Sequence, residues 1–398
     1  MLQAVGGAEA LQVDDFSLAL GGPLYQLYLR SHLARAPLDL LRRRIIFFSL
    51  ICWLPLLLLS LAERHAFRGV SAPFLFDIEV HTRFLVCVPL LIVAEVIVHK
   101  RLVLIIRQFL QRNIIAPEDR TRFSEIIAST MRLRNSVLFE VALLVLCFTA
   151  GDWAWREGLS FEGSSWYAAK SAGEMHFTAA GYWYEFVGLP VFRFLLFRWY
   201  FRIFLWYLFL ARVRGLPLHL NLFHPDRSGG LGFLAGSLIA FSAILVAHTA
   251  FLAGFIGNRI WHAGATLMSF KMEIAGSLLF LLLLVLVPLT FFIAHLERAR
   301  VKAGREYGVL ASHYVDDFRR KWTEPASDNS EPLLGTPDLQ SLADLGNAFH
   351  TVSRIRVLPF DKEAVIRLVA WLVVPLLPLI LTIVPIGQIV DWMIKLAF

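Results

Sequence analysis

The sequence predicts an all-α, polytopic membrane protein with about seven transmembrane helices, a cytoplasmic N-terminus and a small cytoplasmic helical layer. Composition is the first observation: 57% of the 398 residues are hydrophobic and 17% are charged, against roughly 45–50% and about 25% in soluble domains. The second is a series of seven apolar segments near the ~20 residues that a membrane-spanning helix needs. The third is the uneven distribution of Lys and Arg between the connecting segments.

The seven apolar segments alternate with polar connections along the chain. The second segment is short, and the seventh contains Pro375, Pro378 and Pro385, which predict a kinked span or a re-entrant hairpin. The first begins only after a long polar or mixed stretch, so it is interpreted as a retained span. The predicted spans are 45–62, 84–99, 136–155, 182–211, 230–256, 274–295 and 365–386.

The basic residues orient these spans. With the N-terminus in the cytoplasm, the cytoplasmic segments contain 25 Lys and Arg residues and the outer segments contain 8. Cytoplasmic loops of membrane proteins are enriched in these residues, so this orientation is the predicted one. It is opposite to that of rhodopsin-type receptors. The net charge of +7 therefore reflects membrane orientation, and we expect a lipid bilayer and no nucleic acid as partner.

These spans divide the chain into four regions. Residues 1–44 are predicted to be a cytoplasmic N-terminal segment. Residues 45–296 form a six-helix transmembrane bundle with a cytoplasmic helical insert at 100–135. Residues 297–360 contain cytoplasmic helices and a polar linker, and residues 361–398 contain the last transmembrane helix and an amphipathic tail.

Three cytoplasmic helices are predicted around these spans. Residues 117–134 are acidic at the start and basic at the end, as the helix dipole favours. The sixth span is expected to continue as a helix to Trp322. Thr336 followed by Pro337 predicts an N-cap and first helical residue. The helix that follows has one apolar face, made of Leu339, Leu342, Leu345, Phe349, Val352 and Ile355.

The fourth predicted span contains three arginines in apolar and aromatic surroundings: Arg193, Arg198 and Arg202. Charge inside a membrane is costly and marks an ion path, a buried pair or a voltage sensor. At about 1.5 Å per residue, Arg193 lies at the depth of Glu95 and Arg198 at the depth of Glu140. We therefore expect two ion pairs, Glu95 with Arg193 and Glu140 with Arg198. Two alternatives stay open: the arginines reach out to the cytoplasmic interface, or they line a transport path.

His248 is a further polar residue, within the fifth predicted span, with Thr249 and Ser242 nearby. A haem would need a second histidine at similar depth, and His99 and His295 lie at the ends of their spans. A hydrogen-bonded core histidine is therefore the expected role, with membership of the charge network as the alternative. The three cysteines lie in apolar segments without metal-ligand spacing, so no metal or cofactor is expected.

The run HPDRSGG at 224–230 directly precedes the fifth span. The side chain of Asp226 or Ser228 has the chemistry to cap the helix, and the paired glycines permit a tight turn. The functional alternative is an anion or lipid-headgroup site at the helix N-terminus. The residues of that site would be His224, Asp226, Arg227, Gly229 and Gly230.

Four strings, HPDRSGGLGFL, DIEVHTRFLV, MRLRNSV and LQSLADLGNAF, resemble a widespread family of uncharacterised bacterial inner-membrane proteins. This resemblance implies a multi-pass protein of the bacterial cytoplasmic membrane with about seven helices, and it implies no activity. The predicted architecture, with its internal N-terminus and split last helix, is also similar to that of insect olfactory receptor channels, without a shared motif.

Two functions from different classes follow. The first is an oligomeric channel or carrier for an ion or small solute, with an anion favoured by the arginines. The second is a membrane-embedded scaffold or sensor whose cytoplasmic helices bind a protein partner. Nucleophile, nucleotide-binding and zinc-protease motifs are absent from the sequence, so no catalytic residue is predicted. We expect a homo-oligomer.

Overall fold

The computed structural model describes residues 16–32, 40–156, 165–171, 174–324 and 335–382. These residues are almost entirely helical, with one short antiparallel pair of strands. The helices α1 to α10 are Pro23–Arg30, Leu41–Ala62, the run 78–111, Arg120–Arg134, Val137–Arg156, Ala179–Val213, Leu231–Ala263, Leu267–Trp322, Asp338–Ser353 and Lys362–Ile380. The strands β1 and β2 are Ala168–Ser171 and Glu174–Phe177.

Five of these helices are long and apolar enough to cross a membrane: α2, α6, α7, α8 and α10. They coincide with the first, fourth, fifth, sixth and seventh predicted spans. The second and third predicted spans also fold as helices, α3 and α5, and Val137–Thr149 of α5 is a shorter apolar stretch. A helical protein with several apolar helices is therefore confirmed. Pro385 of the last predicted span lies outside the described residues.

The bundle has two ends with different chemistry. One end carries the strand pair and the connection from α7 to α8, and we call it the hairpin end. The other carries residues 16–32, α4, the loop 214–230 and α9, and we call it the basic end. The predicted helix at 117–134 is confirmed there, as a short 3-10 turn Pro117–Asp119 followed by α4.

Helices α3, α6 and α7 form the centre of the bundle. Helix α7 packs on α3 mainly through small or apolar side chains, many of them fully buried, and Asn258 accepts from the amide of Ile78 at 3.2 Å. Gly254 of α7 lies where α3 approaches most closely: a Cβ at this position would stand 2.8 Å from the Cβ of Thr82. Small residues permit this kind of approach between helices in membranes.

Two of the central helices contain a π-helical segment near the hairpin end. These segments are Thr82–Cys87 in α3 and Tyr184–Gly188 in α6. They contact each other, because the ring of Phe84 lies at Gly188 and stacks edge-on against Tyr184 with ring centroids 6.1 Å apart. π-helical turns often occur at functional sites, and no sequence pattern identified these two.

At the basic end, α8 and α9 form a helical hairpin that extends beyond the bundle. The predicted continuation of the sixth span to Trp322 is confirmed, since α8 has 56 residues, about 84 Å at 1.5 Å per residue. The start of α9 is one residue later than predicted, with Pro337 at the N-cap. Its predicted apolar face is buried only near the bundle, at Val352 and Ile355, while Leu339 is exposed.

We predict that Gly254→Ala lowers the thermal stability of the detergent-solubilised protein. The added methyl group would overpack the contact with Thr82, which typically costs about 1–3 kcal/mol. Gly276→Ala is the matched control, because Gly276 is also helical but has nothing within 4 Å of its Cβ position. The control should keep or raise the melting temperature; equal losses in both variants would contradict the close contact.

Candidate functional site: a buried arginine cluster

One carboxylate of α3 holds three arginines inside the bundle. Glu95 Oε2 accepts from Arg44 Nη1 at 2.5 Å, and Glu95 Oε1 accepts from Arg198 Nη1 at 3.2 Å and from Arg202 Nη2 at 3.1 Å. All four side chains are at most 5% exposed. Charged groups persist at this degree of burial only when they are paired and hydrogen-bonded.

The charged side chains of the cluster lie at a similar depth along the bundle axis. Arg44 lies in the first turn of α2 and Glu140 in the first turn of α5, whereas Glu95 and Arg198 lie in the middle of α3 and α6. Helices α3 and α6 therefore continue past this level toward the basic end by about 24 Å and about 22 Å. From Arg44 to the other end of α2 is about 27 Å, close to the ~30 Å of a bilayer hydrocarbon core.

One of the two predicted ion pairs is confirmed and the other is wrong. Arg198 Nε lies 3.7 Å from Glu140 Oε1. Glu95, by contrast, does not pair with Arg193, which lies 3.5 Å from Glu185 Oε1 on its own helix. The predicted depths assumed straight helices that begin at residues 84 and 182, whereas α3 begins at residue 78, α6 begins at Ala179, and each contains a π-helical segment.

The cluster also settles how the arginines of α6 are accommodated. Arg198 and Arg202 are buried, so they do not extend to an aqueous interface. Arg202 additionally lies over the ring of Trp199, 4.5 Å from its centroid. The sequence analysis did not identify Arg44 as a member of the cluster. Arg44 is one of several consecutive basic residues just before the first predicted span, and such a run is typical of a loop.

His248 lies in the core as a hydrogen-bonded residue. Its Nδ1 is 2.9 Å from the carbonyl of Ile244, and its Nε2 is 2.6 Å from the hydroxyl of Tyr200. A carbonyl only accepts, so Nδ1 carries the proton and Nε2 accepts from Tyr200. Both ring nitrogens are engaged, which is the expected core role, and no contact joins His248 to the arginine cluster among the described residues.

The HPDRSGG run forms a tight turn that caps α7, as the structural interpretation predicted. The carboxylate of Asp226 accepts from the amides of Ser228 at 2.9 Å, Gly230 at 3.1 Å and Gly232 at 2.9 Å. Gly229 and Gly230 adopt positive φ angles of 61° and 94°, a conformation that glycine adopts without a steric penalty. The hydroxyl of Ser228, the alternative cap, donates to the carbonyls of Asp226 and Leu358.

This turn leaves little room for an external anion. Burial raises the pKa of Asp226, but the hydrogen bonds from the amides of Ser228, Gly232 and Gly230 outweigh it and hold the pKa below its ordinary value. The backbone amides that would bind an external anion are thus already bound to the carboxylate of Asp226. Arg227 is exposed and His224 is half-buried beside Asp226.

Two arginines that the sequence did not single out complete this turn. Arg112, just after α3, donates to the carbonyl of Gly230 at 3.0 Å. Arg356, between α9 and α10, donates from its side chain to the carbonyl of Asp226 at 2.7 Å. The loop before α7 therefore ties together the end of α3, the start of α7 and the connection to α10.

A second buried charge lies near the hairpin end, in the π-helical segment of α3. Arg83 donates to the carboxylate of Glu79 and to the hydroxyl of Tyr184. Its guanidinium also lies 5.0 Å from the ring centroid of Phe251. Arg83 and Glu95 are about 18 Å apart along α3. The buried side chains of α3 between them are apolar: Phe84, Cys87, Val88, Leu91, Ile92 and Ala94.

Comparisons with protein families, curated proteins and solved structures find no match to this chain. The described part of the chain also contains no group of three or more His, Cys, Asp or Glu side chains that would hold a metal ion. The argument for function therefore rests on the geometry of the chain itself.

We predict that Glu95→Gln destabilises the protein far more than Glu140→Gln. Glu95 forms ion pairs with three buried arginines, and breaking a buried ion pair typically costs about 3–5 kcal/mol. Glu140 meets one arginine at 3.7 Å and is the matched control. Melting temperatures in detergent measure the difference; an equal loss in both variants would mean that Glu95 is not the centre of the cluster.

We predict that Asp226→Asn destabilises the protein at neutral pH by roughly the value of a helix cap, about 0.5–2 kcal/mol. The native pKa of Asp226 is lowered, so its contribution is present above the unfolded pKa of about 3.9 and is lost as pH falls through the native value. Melting temperatures of both proteins at pH 7 and in acid test this. If the difference in melting temperature between the two proteins does not decrease in acid, the carboxylate charge is not the source of the stabilisation.

Proposed function

We propose that this protein is an oligomeric channel or carrier for an ion or small solute in a bacterial cytoplasmic membrane, with the permeation path between copies of the chain. The closed interior of a single copy supports a path outside it. Glu95 is hydrogen-bonded to the central arginines, and apolar side chains separate this cluster from Arg83. A solute crossing the described bundle along α3 would have to break both arrangements.

The proposed orientation has seven spans, with the basic end in the cytoplasm. The excess of Lys and Arg in the segments at that end supports it. The part of α8 that extends beyond the bundle, Ile293–Trp322, contains eleven charged residues, so it has the composition of a helix in water. The helical hairpin of α8 and α9 would then stand in the cytoplasm.

The observation that carries the proposal is exposed apolar surface on this water-facing hairpin. Leu310 of α8 is 52% exposed and Phe349 of α9 is 40% exposed, and Val309 and Leu339 are also exposed. Apolar side chains in the membrane are covered by lipid, but these would be covered only by protein. A second copy of the chain is the occupant that an oligomer supplies.

The last helix supports a path at the edge of the bundle. Helix α10 packs mainly on α7, through a single face that contains Ala364, Leu368, Leu372 and Leu376. Its opposite face is exposed and borders no other described helix extensively. In an oligomer held together by the hairpin, this face is available to neighbouring copies.

The anion preference does not follow from this geometry. Arg198 and Arg202 are paired with Glu95 and are not on an open surface. The proposal therefore leaves the sign of the solute to measurement.

The second candidate function is a membrane-embedded scaffold or sensor whose cytoplasmic hairpin binds a different protein. The same exposed side chains on α8 and α9 favour it, because they would serve a partner protein as well as a second copy. The two functions differ in assembly and in flux, and both quantities are measurable on the purified chain.

We predict that Leu310→Asp weakens self-association at least tenfold, since burying a leucine contributes about 1.5–3 kcal/mol. Ser312→Asp is the matched control, on another face of the same helix. Mass photometry in nanodiscs measures assembly, and potassium and chloride efflux from liposomes measures conduction. We expect an oligomer with flux that Leu310→Asp reduces in parallel. A monomeric wild type without flux would overturn the channel and leave the scaffold.

A further inference from the structure

Residues 16–24, which run through a turn at Ser17 into the first turn of α1, are bound to the bundle in the way that a peptide ligand is bound. Three alternate carbonyls of this segment each accept from a different arginine: Ser17 from Arg134, Ala19 from Arg202 at 3.1 Å, and Gly21 from Arg198 at 3.4 Å. Each of these arginines is contributed by the folded bundle, two by α6 and one by α4.

The rest of the segment is held just as closely. The amide of Gly22 donates to Asn135 at 2.9 Å, and the amide of Leu24 donates to Glu140 at 2.9 Å. Phe16 is fully buried, and its ring centroid lies 5.3 Å from that of Phe209. The segment therefore fills a cleft whose polar contacts are supplied by α4, α5 and α6.

The cleft has more positive than negative charge. Among the described residues, the three arginines that bind the segment, Arg134, Arg198 and Arg202, lie with two carboxylates, those of Glu95 and Glu140. Peptide carbonyls supply dipoles but no charge to offset the excess. A phosphate group carries one to two negative charges and accepts from several guanidinium groups at once.

An apolar cavity adjoins the same cleft. It has a volume of about 520 Å³, and its lining includes Leu24 of the segment, Glu140 of the cluster, and Val141, Phe186 and Phe194. The cavity lies between α1, α2, α5 and α6 on the membrane side of the bundle. A charged cleft beside an apolar cavity is the arrangement that a phospholipid, with its phosphate and acyl chains, would fit.

We propose that residues 16–24 occupy a phosphate-binding site formed by Arg134, Arg198 and Arg202, and that a phosphate group displaces the segment. The phosphate belongs either to an anionic lipid headgroup, with its acyl chain in the adjoining cavity, or to a free phosphate ion. Binding at this site releases the N-terminal segment from the bundle. This inference is independent of conduction, and its test does not use flux.

Two glycines allow the segment to be released without changing the arginines. Gly21 and Gly22 have φ angles of 137° and 86°. A Cβ on Gly21 would overlap the Arg134 guanidinium, and one on Gly22 would stand 2.6 Å from Glu140 Oε1. The double variant Gly21→Ala with Gly22→Ala should therefore dislodge residues 16–24.

The matched control is Gly264→Ala with Gly335→Ala. Both glycines have positive φ, 64° and 96°, but a Cβ at either position has nothing within 4 Å. The control also places two alanines at positive φ, but without the collision. Phe16→Ser is a second releasing variant, in case the double variant does not fold, since it removes the ring that packs on Phe209.

The experiment measures amide hydrogen exchange of residues 16–24 in nanodiscs of phosphatidylcholine, with and without phosphatidylglycerol or inorganic phosphate. In the wild type, we expect the amides of residues 16–24 to exchange at least tenfold faster when one of the two anions is present than when both are absent. The releasing variants should bind that anion at least tenfold more tightly than the control variant. Arg202→Gln in a releasing background should abolish binding.

Phosphatidylglycerol and inorganic phosphate distinguish a lipid headgroup from a free phosphate ion as the ligand. A response to phosphatidylglycerol alone assigns the site to a lipid headgroup, and a response to inorganic phosphate assigns it to the free ion. Unchanged exchange with both ligands, together with equal affinity of the releasing and control variants, would overturn the proposal. The segment would then be a fixed part of the fold.

Discussion

The arrangement of the helices depends on the ion pairs that one carboxylate, Glu95, makes inside the bundle. Three arginines converge on its two oxygens from two other helices. Removing one partner of a buried ion pair is costly, so these contacts fix the positions of α2, α3 and α6 along the bundle axis relative to each other. The same level is where the N-terminal segment enters and where α5 begins.

The position of this cluster divides the molecule into two parts. On one side lies a membrane-like bundle of about one hydrocarbon thickness, with a second charged residue, Arg83, near its far end. On the other side the same helices continue, joined by α4, the Asp226 turn and the long hairpin of α8 and α9. A sealed bundle with an extended hairpin is better suited to assembly than to transport through one copy, which is why the proposed path lies between copies.

The most conspicuous motif in the sequence turned out to contribute to the architecture. Asp226 binds the amides at the start of α7 in the way that an external anion would, and Arg112 and Arg356 bind the carbonyls of the same turn. The less conspicuous N-terminal segment instead lies against the unbalanced arginines. The amides of this turn are bound by a carboxylate of the same short run, whereas Arg134, Arg198 and Arg202 bind a segment that lies more than a hundred residues away in the chain.

The sequence by itself determined the helical class, five helices long and apolar enough to span a membrane, the α4 helix, the continuation of α8 and the cap before α7. Each of these depends on residues close together in the chain, through hydrophobic length, periodicity or a short-range hydrogen bond. The tertiary structure alone decided which charges meet. Glu95 binds Arg44 and Arg202 in place of Arg193 because the starts of α3 and α6 and their π-helical segments change the relative depths of these side chains. Residues 16–22, which have no pattern of their own, gain their place from arginines more than a hundred residues away.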